Sequence, residues 1–313
     1  MIQQTFNELQ RERREAMKGN YIKDIKDNDY IEGKFMIMKK LAVEGKTLVA
    51  FIGDKTGDVK VYIQNGEELK VGNVIYIKAK REAGFQVSSY KIEKNYNIDD
   101  FLPAISKPID EIMEELKQIS DEELKSEECK ILDNYFFGNK NFVEKFKRGI
   151  GGLSQHHNYV GGLAEHTLNV VYMAKVMAYR YDCQHKEIAI LAAKLHDIGK
   201  IEEYDTDGPF SVSMRGEMEG HIVIGVTMIE EAFKAGGSIY SEDFKHRIRG
   251  CVVQHHGKVE YGSPKAPNTE EAYIVHYADF VDATMNKIGQ VKDAVEPGTW
   301  SEYDRRIGTR LYI

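Results

Sequence analysis

The feature that most constrains this chain is a change of hydrophobic period at residues 95–108. Before it, short runs rich in β-branched and aromatic residues alternate with Gly, Asp and Asn: IEGKFMIMKKLAVE, KTLVAFIGDKTGDVKVYIQN, VGNVIYIKAKREAG and FQVSSYKIEK. After it, apolar residues recur at helical spacing almost to the end. A two-residue period gives a strand one apolar face, and a 3.6-residue period gives a helix one stripe. The two parts therefore need different cores. The expected fold is α+β and multidomain: an all-β, OB-like barrel over 21–95, a linker over 96–108 with two prolines, and an all-α bundle over 109–313. Residues 1–20 read as a charged N-terminal helix or arm, with Glu8, Arg11, Glu12, Arg14 and Glu15 on its polar surface.

FIGDKTGDVKVYIQN reads as the second and third strands of an OB barrel, turning at Asp54 and Thr56-Gly57-Asp58. Such barrels hold single-stranded nucleic acid on aromatic rings beside cations. The candidates are Phe35, Phe51, Tyr62 and Phe85, with Lys34, Lys60 and Arg81. Some of these rings must fill the core instead. Beyond the linker, helices are expected near 110–116, 120–135, 141–148, 163–181, 186–198, 220–234, 241–255 and 269–287. The longest stretch without one is 199–219, which carries Gly208-Pro209.

No run approaches the ~18–20 apolar residues of a membrane span. The start, MIQQTFNELQRERREAM, lacks an apolar signal core. Three scattered cysteines (Cys129, Cys183 and Cys251) suit neither a disulfide framework nor a thiolate zinc site. A reducing, cytoplasmic setting is expected. The net charge is −7: residues 101–313 carry −9, with 34 acidic residues against 25 basic ones, offset by +2 in 1–100. An acidic chain can still bind nucleic acid through a local basic face.

All ten histidines follow residue 155. Five points stand out: His166 in GGLAEHTLNV, His196-Asp197 in LAAKLHDIGK, His221 in GEMEGHIVIG, His255-His256 in CVVQHHGK, and Asp279 in VHYADFVDATM. Each lies on or at the end of an expected helix. An ionised Asp buried directly after LAAKL would cost several kcal/mol without a compensating cation. Imidazole and carboxylate without thiolate suit manganese, iron, nickel or zinc. Helices of a bundle can aim such groups at one point.

This order of motifs, over about 150–290, resembles the HD superfamily of metal-dependent phosphohydrolases. The resemblance implies that His166, His196, Asp197 and Asp279 hold one metal. It further implies that His221, with His255 or His256 or both, holds a second one bridged by Asp197. Lys200 in HDIGK matches a position that contacts substrate phosphate, so Asp197 and Lys200 would act in catalysis. Gly199 is expected to end its helix in a left-handed conformation and turn Lys200 toward the site. By the same likeness His156 and His157 are phosphate or leaving-group contacts.

An OB-like domain followed by HHNYVGGLAEHT, HDIGK, GHI and QHHG is similar to the YhaM-type 3′–5′ exoribonucleases, over nearly the whole chain. That implies a hydrolase releasing nucleoside 5′-monophosphates from single-stranded RNA, with single-stranded DNA open as a second substrate. It also implies two divalent cations per subunit, manganese ahead of iron, nickel, cobalt and zinc. The 199–219 loop, with Tyr204, Phe210 and Arg215, is the candidate wall of a 3′-end pocket. Exposed helical faces at 108–135 could join copies into a homo-oligomer. Two other readings keep the same residues. One is a phosphohydrolase of small nucleotides or cyclic dinucleotides with a regulatory barrel. The other is a non-catalytic nucleic-acid-binding protein.

Overall fold

A computed structural model describes residues 21–25, 30–82, 84–153 and 157–313 of the chain. The helix or arm expected at 1–20, the side chain of Arg81 and the whole of His156 lie outside the described positions. The chain divides into two compact units. One runs to Ala104 and includes residues 207–210; the other holds the remainder.

The first unit is built from β1 (Tyr30–Glu44), β2 (Thr47–Asp54), β3 (Gly57–Gln64), β4 (Val74–Glu82), β5 (Gly84–Val87) and β6 (Tyr90–Glu93). β1, β2 and β3 form an antiparallel meander. β4 returns antiparallel to β1, and β5 pairs antiparallel with β4 and parallel with β3. The ring β1–β2–β3–β5–β4–β1 is therefore closed, which is the five-stranded OB-like architecture expected. β6 continues the same arm along β4, from Val74↔Glu93 to Ile77↔Tyr90. The β2–β3 turn holds because the Asp54 carboxylate accepts from Thr56 N at 2.8 Å and Gly57, at φ +150°, tolerates a backbone few side chains accept.

Alternation sends Ile31, Phe35, Ile52, Ile63, Ile75 and Phe85 into the barrel core. This corrects two expected ligand contacts: Phe35 and Phe85 are 0% and 1% exposed and cannot stack on a base. Lys34 is corrected too, being buried with its Nζ 3.9 Å from Glu93 Oε2. The outer side of β1 is covered here, because Phe101 packs on Met36 and Val74. The start of the linker is thus folded, with Asn97 capping a single turn at Ile98–Asp100. Phe51 and Tyr62 are half-buried and Lys60 is exposed, on the outward face of β2 and β3.

The second unit contains α1 (Ile109–Glu123), α2 (Glu127–Phe137), α3 (Lys140–Arg148), α4 (Gly162–Arg180), α5 (Lys186–Leu195), α6 (Lys200–Glu203), α7 (Met214–Gly236), α8 (Glu242–Gln254) and α9 (Glu270–Asp293). The first break falls at 124–126 and not at 117–119, because Leu124 is extended and Ser126 caps α2. The 199–219 stretch is also more structured than expected. It holds α6, a short ladder of β7 (Tyr204–Asp205) with β8 (Ser211–Val212), and the start of α7 behind the Ser213 cap. Beyond α9, residues 294–313 form turns and two isolated bridges, Trp300↔Tyr312 and Asp304↔Thr309. No helix among the described residues is long and apolar enough to cross a membrane. Residues Ile188 to Leu195 of α5 are all buried, so this helix delivers His196-Asp197 to the middle of the unit.

The inward and outward rings of the barrel separate by stability. Phe35→Ala should cost about 3–5 kcal/mol, and Phe51→Ala roughly 1 kcal/mol or less. Urea unfolding of the two variants, followed by far-UV circular dichroism, measures the difference.

Candidate metal centre

Seven side chains from five helices converge. His166 lies in the second turn of α4, His196 ends α5 with Asp197 next to it, and His255 ends α8 with His256 next to it. His221 follows the break in α7, and Asp279 is midway along α9. The centre is Asp197. Its Oδ2 lies 3.4 Å from His166 Nε2 and 3.3 Å from His196 Nε2. Its Oδ1 lies 3.5 Å from both His221 Nε2 and His255 Nε2. His256 Nε2 is 3.3 Å from His221 Nε2, and Asp279 Oδ1 is 3.3 Å from His166 Nε2. The sequence-proposed ligands are thus brought together around one carboxylate whose two oxygens face different imidazole sets.

The outer nitrogen of each ring explains why Nε2 points inward. His196, His255 and His256 donate from Nδ1 to the carbonyls of Ala193, Val252 and Tyr261, at 2.8, 2.7 and 2.9 Å. His166 donates from Nδ1 to Asp282 Oδ2 at 2.6 Å, and His221 to Glu203 Oε1 at 3.2 Å. A ring that spends its proton on Nδ1 keeps a lone pair on Nε2. Such outer acceptors are the usual support of metal-bound histidines.

These residues fit a divalent ion. Asp197 Oδ1 and His255 Nε2 are buried without a hydrogen-bond partner among the described residues, and both are acceptors. Two lone pairs facing each other need a cation between them. His166 and His196 present Nε2 atoms 3.1 Å apart; two nitrogens ~2.1 Å from one ion at near right angles stand ~3 Å apart. The electrostatics agree. Burial opposes charge on His166, yet Asp197, Asp279 and Asp282 together push its imidazole well above the usual range. Burial and the neighbouring His256 push His255 far below it. Burial opposes ionisation of Asp197 too, but Lys200 and His196 hold it well below the carboxylate range. The pocket calls for positive charge at Nε2, which a metal supplies in place of a proton.

Lys200 Nζ lies 2.6 Å from Asp197 Oδ2 and donates to the Gly151 carbonyl at 2.6 Å. The route by which it gets there differs from expectation. Gly199 is right-handed, at φ −63° and ψ −21°. It is needed for contact, since a Cβ there would stand 2.0 Å from His221 O and 2.7 Å from Gly225 N. His157 is not at the open edge. It is buried, with Nδ1 2.9 Å from Glu165 Oε2 and Nε2 2.8 Å from Asp282 Oδ2, so neither nitrogen is left for a phosphate. Arg215 pairs with Glu202 and with Glu219. Tyr204, in β7, and Phe210 are each half-buried. Sequence reasoning missed Asp282 and Glu203, which back His166 and His221. It also missed Asn169, whose Nδ2 donates to Asp282 Oδ1 at 2.7 Å. The i, i+3 spacing of Asp279 and Asp282 puts both on one helix face but does not by itself show that Asp282 faces an imidazole.

The approach of Gly199 to His221 makes a sharp test. Gly199→Ala should displace His221, lower bound metal per chain, and cost about 1–3 kcal/mol of stability. Elemental analysis and thermal melting of one preparation measure both; unchanged values would contradict the close packing.

Comparison with known proteins points the same way. Residues 163–284 match the HD domain family. Over 278 residues the chain is 28% identical to the 3′-5′ exoribonuclease YhaM of Bacillus subtilis (strain 168), covering 84% of this chain and 87% of that one. Identity to the same-named protein of Bacillus pumilus (strain SAFR-032) is 28%, with the same coverage. For Geobacillus sp. (strain WCH70) it is 27% over 282 residues, covering 85% of each chain. The chain thus carries an HD domain at residues 163–284 and is, over most of its length, a homologue of proteins named 3′-5′ exoribonuclease YhaM.

Proposed function

We propose that the protein is a divalent-metal-dependent 3′–5′ exoribonuclease that shortens single-stranded RNA by one nucleoside 5′-monophosphate at a time, in the cytoplasm. The observation that carries this reading is the division of Asp197 between two imidazole sets, 3.3–3.5 Å from its oxygens. The exoribonuclease homologues supply the polarity and the substrate class. His166, His196, Asp197 and Asp279 would hold one cation; Asp197, His221, His255 and His256 would hold the other. Manganese is the first choice for this imidazole and carboxylate set.

Divalent cations held by these residues would lower the pKa of a water and offset the charge of phosphoryl oxygens. The chain's own residues orient the rest. Lys200 fixes one oxygen of Asp197 through one N–H and the Gly151 carbonyl through another. Its third N–H is then available to the phosphoryl group as charge grows there. Water would add to phosphorus as it gives up a proton, and the bond to the 3′-oxygen of the preceding nucleotide would break, that oxygen taking up a proton to leave as the new 3′-hydroxyl. On the barrel, Phe51 pairs across to Lys39 on one side and Lys60 on the other, and Lys60 Nζ stands 5.4 Å from the Tyr62 ring. That strip of rings and ammonium groups suits the bases and phosphates of a single strand, of RNA or of DNA.

Incubation of 5′-labelled single-stranded RNA with the protein and manganese should give a ladder shortening from the 3′ end, and a chelator should abolish it. Cleavage confined to small nucleotides would overturn the reading. Asp197→Asn keeps the shape but removes the shared charge, so turnover should fall roughly 1,000-fold or more, together with metal content. RNA binding under chelation should persist. Near-normal turnover at saturating manganese would show that Asp197 is not shared between cations.

A further inference from the structure

We propose that residues 298–313, together with Lys287 of α9, form a docking platform for the single strand a few nucleotides upstream of the end being cleaved; this rests on the exoribonuclease reading above. The segment is closed on itself without a helix. Gly298 N donates to Ile313 O at 2.6 Å, Ile313 N to Thr299 O at 3.0 Å, and Ser301 N to Leu311 O at 2.8 Å. With the backbone pinned, its largest side chains face outward: Trp300, Tyr303 and Tyr312 are 59%, 60% and 63% exposed. The rings of Trp300 and Tyr312 lie 5.5 Å apart, and the Arg310 guanidinium is 5.7 Å from the Trp300 ring. Rigid, exposed rings with an arginine beside them accept any base by stacking.

The charges complement a strand. Arg305, Arg306 and Arg310 stand against Glu302 and Asp304 in this segment, within a region of the chain where acids predominate. Asp304 is already engaged by Arg306 at 2.7 Å. The segment is anchored to the site's own helix, because Arg306 donates to Gln290 Oε1 at 2.7 Å and Gln290 Nε2 to Asn286 Oδ1 at 3.0 Å. That same oxygen accepts from His157 N at 3.2 Å. Beside this chain, half-buried Lys287 has no hydrogen bond or ion pair among the described residues. Burial and the nearby Arg306 push its amine below the usual range, against Asp279 and Asp304. Two neighbouring cations in a partly desolvated place repel, and a phosphate relieves them. Lys287 lies eight residues beyond Asp279, ~12 Å along the helix, so a phosphate held there belongs to the same strand as the one at the metal centre.

Trp300 is the only tryptophan in the chain, so its emission reports on the platform directly. The full-length protein, under chelation to prevent hydrolysis, is titrated with unlabelled single-stranded RNA, and parallel anisotropy of labelled RNA follows total binding. The platform predicts emission changes that saturate along the same curve. Lys287→Gln should weaken binding on the order of 5- to 10-fold and reduce the salt slope of log affinity by about one. Trp300→Ala should weaken it about 5-fold or more. Strand binding without a change in emission overturns the platform, as does wild-type affinity in the Lys287 and Trp300 variants. A smaller assembly mass in Trp300→Ala with unchanged affinity also overturns it, assigning this face to contact between copies. Failure of the wild-type protein to shorten or bind RNA would instead remove the exoribonuclease reading, and the platform with it.

Discussion

The helical unit depends on keeping one carboxylate ionised where water does not reach. Asp197 is buried, and an ionised carboxylate in that position is strongly unfavourable unless positive charge is close. Lys200 supplies part of it at 2.6 Å. His196 and His166 add to it, while the Nδ1 of every one of the five rings is turned outward to a carbonyl or a carboxylate, so that each Nε2 faces the centre. Lone pairs and carboxylates are thus concentrated at one point, held there by the apolar packing of α5 against α4, α8 and α9. The geometry makes physical sense as a coordination sphere and not as a self-contained hydrogen-bond network.

Bringing five helices to one point needs backbone approaches that ordinary side chains would block. Gly199 lets the turn after α5 touch the backbone of α7 beside His221. Gly220, at φ +71° and ψ +157°, breaks α7 one residue before His221, so the histidine starts a new turn where Glu203 can receive both its backbone N–H and its Nδ1–H. Gly257, at φ +78°, lies where a Cβ would stand 2.1 Å from the His276 ring, and His276 Nδ1 donates to the carbonyl of His255 at 2.8 Å. The candidate ligands His196, Asp197, His221, His255 and His256 sit at helix ends and breaks, where the chain can turn abruptly, while His166 and Asp279 reach the same point from within α4 and α9.

The sequence made the inner candidate ligands legible because a polar pair at the end of an apolar run, such as His196-Asp197, contradicts its own local pattern. The closed barrel was legible from period and turns. What failed was the sidedness of β1: alternation separates Phe35 from Lys34, but Phe101 covers the second face, and no local pattern announces that cover. Gly199 failed for a related reason. A glycine after a helix suggests a left-handed cap, whereas its true constraint is the backbone of a helix more than twenty residues away. Asp282 and Glu203 remained hidden because a carboxylate on a helix face normally meets solvent, and only the tertiary fold shows an imidazole in front of it.

The two imidazole sets around Asp197 are not equivalent. On the Oδ2 side, His166 is fully buried and backed by Asp282, which is itself fixed by His157 at 2.8 Å and by Asn169 at 2.7 Å. On the Oδ1 side, His221 is backed by Glu203, its side chain is 14% exposed, and its neighbour His256 is held only by a loop carbonyl. Each side therefore has one imidazole strengthened by a carboxylate, while the others lean on carbonyls. A carboxylate behind an imidazole makes it the stronger donor, and a second layer of bonds fixes its direction. On the Oδ2 side the imidazole of His166 is accordingly the one whose direction is fixed by two layers of bonds. On the Oδ1 side His221 is partly exposed while His255 is buried, and on the Oδ2 side it is Asp279, also 14% exposed, that reaches the surface.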